Sequence, residues 1–153
     1  MAELGDIQII AVSGQVSPAE KDEELVKLLG VLAMRFNILE TYLSNMLGLK
    51  MGIMLKGESY DYISEEMSFL QKIKLSSTYL PIEIKSRLTS INKKRNKILH
   101  GTFLQNHTTK EIKLRYKKEE IKNINKFTVS LNAEISGLSG EIHNIMIRPN
   151  KLR

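Results

Sequence analysis

The chain has no cysteine, no tryptophan and only three prolines, and aromatic residues make up 6% of its 153 positions. Without cysteine there are no disulfide staples and no thiolate metal sites, so a packed core has to hold the fold, and a reducing compartment is compatible. The scarcity of rings argues against an extended stacking platform for single-stranded bases. No apolar run approaches the roughly 18–20 residues needed to cross a bilayer. The first residues, MAELGDIQIIAVSG, carry Glu3 and Asp6 where a secretory signal would carry Lys or Arg, and their apolar run is short. These absences lead us to expect no membrane contact and a cytoplasmic location. The three histidines, His100, His107 and His143, show no ligand spacing with carboxylates. Neither a metal nor a cofactor is expected.

What is present is ordinary globular composition, with 42% hydrophobic and 26% charged residues. That suits one domain with one core. The net charge is +6 and the pI about 9.5, with much of the excess between Lys85 and Lys126. Such a surplus mildly favours an anionic partner, nucleic acid among them.

The fold class expected is all-α, a four- to five-helix up-and-down bundle. Residues 1–16 read as an N-terminal arm, 17–147 as the helical domain and 148–153 as a tail. Ser17, Pro18 and Glu20 form a helix start signal. Leu25, Leu28, Leu29, Leu32, Phe36, Leu39, Leu43, Met46 and Leu47 then recur at three-four spacing, predicting a first helix that ends near Gly48. A second helix is predicted from Tyr60 to about Lys74, with Ile63, Met67 and Leu70 inward. Met34, Met46, Met51 and Met54 read as core filler. Pro81 starts a third helix, with Ile84, Leu88, Ile91 and Ile98 inward and Gly101 placed to stop it. TFLQN and EIKLRYK alternate over short lengths and read as a small β-hairpin. The last helix is predicted from about Glu119. Its stripe, from Ile121 through Leu131 to Ile145, is either a packing face of the bundle or a dimer seam. Gly137 and Gly140 weaken that helix and invite a kink.

One short string carries chemistry. KKRNKILHG, residues 93–101, packs four cations, an Asn and a His into the end of the third helix. Asn96 and His100 are four apart and share a face. Arg95 and His100 are five apart, about 140° around an ideal helix. Either this is a polar helix end, where the dipole favours His100, or it is a site that handles phosphate. The lysines Lys93, Lys94 and Lys97 suit an RNA backbone, and equally suit a solvated face.

The string Arg95, Asn96 and His100 followed by Gly101 resembles the signature of the HEPN superfamily, an Arg, four to six residues, then a His, often with a polar residue after the Arg. The layout is similar too, with a long first helix carrying FNILETYL, a motif helix, an irregular or hairpin insert and a long closing helix. The resemblance covers roughly residues 17 to 147. It implies a metal-independent endoribonuclease acting as a homodimer, two motifs facing each other in one composite cleft. It implies that His100 is general acid or base at a ribose 2′-hydroxyl and that Arg95 clamps the scissile phosphate. Asn96 would orient the imidazole, and Glu40, in LETYL, is a candidate acidic helper. Small stand-alone members act as toxins or in antiphage defence, by growth arrest or abortive infection, and an antitoxin or regulatory partner is part of that expectation. One subgroup modifies a Tyr two residues after the His. Here that position is Thr102, so regulation by that route is not expected. The rival readings are a non-catalytic helical adaptor that dimerises through the closing stripe, and an RNA-binding module without cleavage.

Overall fold

The computed structural model describes residues 6–8, 22–53 and 55–148. The expected start signal at Ser17 and Pro18 lies outside them, as does Met54. Among the described residues the chain is mostly helical, with one small antiparallel sheet, so it is not purely all-α. The residues divide into two compact units, Met1–Leu32 with Lys93–Asn132, and Ala33–Asn92 with Ala133–Arg153.

Helix α1 covers Glu23–Lys50. Asp22 caps it, its Oδ1 accepting from the Leu25 N–H at 3.0 Å, and Glu23 and Glu24 oppose the positive dipole end. The predicted stripe is the buried face, from Leu25 to Leu47. The helix does not stop at Gly48. That residue is buried, with the Leu55 and Tyr60 side chains against it. The stop is Gly52, at φ 70°. The Ile53 N–H bonds the Gly48 carbonyl at 2.8 Å and the Gly52 N–H bonds Leu49 at 3.2 Å. This double closure needs a left-handed residue, which only glycine supplies without strain.

The predicted second helix is broken in two. A short α2, Glu58–Asp61, runs into a π-helical turn, Tyr62–Glu66, and stops. Met67 turns extended, and Ser68 opens α3, Phe69–Ser76, through a reciprocal capping box with Gln71. The new start rotates the buried face. Phe69, Lys72 and Ile73 are buried while Leu70 is exposed, against the expectation for Leu70. Phe69 packs edge-on to Phe36 with ring centres 4.7 Å apart. Of the methionines expected as filler, Met46 is buried and Met34 and Met51 are exposed.

Helix α4, Ile82–His100, follows Pro81 as expected and buries Ile84, Leu88 and Ile91. Gly101 ends it for lack of space. A Cβ there would stand 2.3 Å from the Lys97 carbonyl oxygen and 2.7 Å from Leu114. The hairpin follows, β2 at Thr102–Asn106 and β3 at Ile112–Tyr116, paired antiparallel with Phe103 opposite Leu114. Asn106 Oδ1 accepts from the N–H groups of Thr108 and Thr109 and shapes the connecting turn.

The sheet is larger than the expected hairpin. Glu119–Ile121, where the last helix was predicted to begin, is instead a third strand of the meander, β4, joined to β3 by Lys117 and Lys118. Asp6–Gln8, β1, pairs with β2 on the other side. Within this unit Leu25, Leu114 and Ile124 form the core, with Ile98, Phe103 and Ile121 packed against it. Helix α5 is Ile124–Ile147, capped by Asn123, whose Oδ1 accepts from Lys126 N–H at 3.0 Å. The helix is delayed because Ile121 is needed as a strand residue opposite Leu114. The rest of the predicted stripe, from Ile124 to Ile142, is buried within the chain. Gly137 and Gly140 face open space, and the helix runs through both.

No helix among the described residues is long and apolar enough to cross a membrane.

Candidate nucleic-acid interface

The motif occupies the last two turns of α4 and belongs wholly to the first unit. Lys93 and His100 are exposed, while Lys94, Arg95, Asn96 and Lys97 are half-buried. Lys97 and His100 lie in the final turn, where cations meet the negative end of the helix dipole. Sheet strand β2 leaves directly from Gly101, so the meander is built against this end of the helix.

That connection creates a cavity of about 690 Å³. Lys93, Asn96 and Lys97 line it from α4, and Tyr116, Lys117, Lys118 and Glu119 line it from the β3–β4 turn. Sequence spacing brings together only the first three. The second set starts at Tyr116, 19 residues after Lys97, and arrives there because the meander folds back. The signal for it was present in the cation-dense KLRYKKEEIK, but only strand pairing at Tyr116 and Glu119 shows that Lys117 and Lys118 form a turn.

The electrostatics of the cavity are uneven. Lys97 Nζ donates to Glu119 Oε2 at 2.5 Å, and this bond holds the Glu119 carboxyl below its usual range. Glu120 is held low in the same way by Lys113 and Arg115, at 3.1 and 2.9 Å. Among the described residues, Lys93, Lys117 and Lys118 have no carboxylate partner. The Lys117 ammonium lies 5.3 Å from the centre of the Tyr116 ring. Four lysines thus line the cavity, three without a carboxylate partner among the described residues and the fourth held by Glu119, together with Tyr116. This is chemistry for a polyanion.

The other motif residues are placed differently. Arg95 and His100 do not line this cavity. Asn96 and His100 share a helix face, as predicted, but no side-chain hydrogen bond joins them. Comparison with protein-family models, with curated proteins and with solved structures finds no match for this chain. The site therefore rests on its own residues.

Glu40, expected as an acidic helper, belongs to the second unit. It accepts from Lys72 Nζ at 2.9 Å, and that ammonium also bonds the Ser64 carbonyl at 3.1 Å. The Lys72 side chain is fully buried while Glu40 is partly open. The pair ties α1 to α3 and to the π turn. Glu40 also lines a second polar cavity of about 350 Å³ with Thr41, Ser44, Tyr60 and Glu65 among others. Sequence reasoning missed Lys72 because a lysine on a helix defaults to solvent. Of the remaining histidines, His107 sits exposed in the hairpin turn, and His143 stacks obliquely on Tyr42 in the second unit.

Proposed function

We propose that this chain is a metal-independent endoribonuclease of HEPN type, acting as a homodimer in the cytoplasm. The observation that supports it is the lysine-lined cavity beside Asn96, at the end of the helix that carries Arg95 and His100. An RNA backbone held there would pass close to the motif. In the proposed reaction a ribose 2′-hydroxyl gives its proton to the His100 imidazole and its oxygen attacks the adjacent phosphorus. The bond from phosphorus to the 5′-oxygen breaks, and the leaving oxygen takes a proton from the imidazolium of the second copy. Products are a 2′,3′-cyclic phosphate and a 5′-hydroxyl. Arg95, planar and permanently charged, neutralises the phosphorane as negative charge grows on it. Asn96 serves by holding substrate or imidazole. A toxin or antiphage role, with an antitoxin or regulatory partner, is the biological setting of the proposal.

The test is RNA cleavage in EDTA by wild type, His100→Ala and Arg95→Ala, each shown folded by circular dichroism. Wild type is expected to cut and both variants to lose at least about a hundredfold in rate, the usual contribution of a general acid–base group. Cutting by His100→Ala at the wild-type rate would sink the reaction.

A second reading is an RNA-binding module without cleavage. It is favoured by the absence of Arg95 and His100 from the cavity wall. It predicts salt-dependent binding that survives His100→Ala, with no cutting by wild type. The adaptor reading would need a surface other than the α5 stripe, whose residues from Ile124 to Ile142 are buried within the chain.

A further inference from the structure

We infer that the β3–β4 turn is the second wall of a groove for single-stranded RNA, in which Glu119 occupies Lys97 as an internal stand-in for phosphate. The inference rests on the RNA reading above and adds the residues that bind and the residue that competes. Three observations carry it.

The cavity is much larger than one phosphate and is lined by lysines from two elements, Lys93 and Lys97 from α4 and Lys117 and Lys118 from the turn. Cationic side chains contributed by two elements around one cavity suit a chain of phosphates. Lysine, unlike arginine, does not present a planar fork for bidentate recognition, so the groove reads backbone charge and not base identity.

Tyr116 stands at the edge of this cavity, half-buried, with the Lys117 ammonium near its ring. A ring beside several cations is the arrangement that stacks one unpaired base while its backbone is held. A duplex keeps its bases inside and has no use for that ring. This selects the single strand.

Among the described residues Glu119 is the only carboxylate lining the cavity, and it is hydrogen-bonded to Lys97. An oxygen anion already sits where a phosphate oxygen would bond. Binding RNA at Lys97 must displace it, so Glu119 lowers affinity and sets a threshold against weak or short ligands. Removing its charge frees the fourth cation.

The test uses His100→Ala full-length protein, which separates binding from cutting. The probe is a fluorescein-labelled twelve-residue oligouridylate, read by anisotropy across a salt series. Lys117→Ala with Lys118→Ala is expected to weaken binding roughly tenfold or more near physiological salt, and to lower the salt slope by about 0.7 per lysine removed. Glu119→Gln is expected to tighten binding several-fold, the reverse of what loss of a structural ion pair would do. Tyr116→Ala should weaken binding and Tyr116→Phe should not. A duplex of the same length should bind more weakly than the single strand.

Unchanged affinity in the double lysine variant, or weaker binding by folded Glu119→Gln, overturns the inference. Equal binding of duplex, or of anionic vesicles, overturns the single-strand assignment. If these variants behave as expected while wild type does not cleave, the groove stands and the nuclease falls. If wild type cleaves and the turn lysines are silent, the reverse holds.

Discussion

Glu40 and Lys72 show how a single residue changes meaning once its neighbour is known. In sequence they are 32 residues apart, and Glu40 suggested chemistry while Lys72 suggested nothing. Folded, Lys72 is a fully buried ammonium whose counter-charge among the described residues is Glu40. Removing the carboxylate strands that charge, which typically costs roughly 3–5 kcal/mol. Replacing the lysine removes the problem, because Glu40 still reaches water. We expect Glu40→Ala to be far less stable than Lys72→Met in urea denaturation. A folded, stable and inactive Glu40→Ala protein would instead restore Glu40 as a catalytic helper. At the same scale, Glu119 and Glu120 carry a pH signature. Their carboxyls are held low by Lys97 and by Lys113 with Arg115. The folded state therefore binds fewer protons than the unfolded one, and stability rises with pH through the carboxylate range. Their contribution is complete above the ordinary carboxylate value and is lost as pH falls through the depressed one. Both groups are exposed, so the effect is small. Denaturation midpoints measured across that range should be flatter for Glu119→Gln with Glu120→Gln than for wild type.

At the scale of elements, what the sequence made legible was whatever three-four spacing writes over many turns. α1, α4 and α5 are long enough for that pattern, and their predicted faces are the buried ones. The short elements were misread because each depends on one or two residues that a periodic search passes over. Ser68 and Gln71 form a capping box visible in SFLQ, yet the longer apolar pattern of Tyr60–Lys74 masked it. The first helix, expected to end near Gly48, runs two residues further to Lys50, and it is Gly52 that holds the left-handed conformation. Two substitutions measure these devices. Ser68→Ala removes the cap and should cost about 1 kcal/mol. Gly52→Ala, at positive φ, should cost about 1 kcal/mol or more. Gly48→Ala differs in kind, since it meets Leu55 at 3.0 Å in a backbone that glycine is not required for. If Gly52→Ala left the urea midpoint unchanged, the double-closure account of this helix end would be wrong.

For the molecule as a whole, the long helices and the net charge of +6 followed from the sequence by itself. Periodic burial of apolar residues fixes a helix locally, and a charge sum needs no geometry. The hairpin was legible for a similar reason, since alternation and turn residues act over a few positions. The candidate site was legible only by half. Lys93, Asn96 and Lys97 share one helix, so their proximity is dictated by the 3.6-residue turn. Tyr116, Lys117, Lys118 and Glu119 reach them through strand pairing, and Lys72 reaches Glu40 through packing. Those contacts join distant positions, and no local rule of spacing encodes which charge will face which. The tertiary structure decided that a cation-rich stretch lines a cavity beside α4, and that Glu40, a candidate acidic helper, is the counter-charge of a buried lysine.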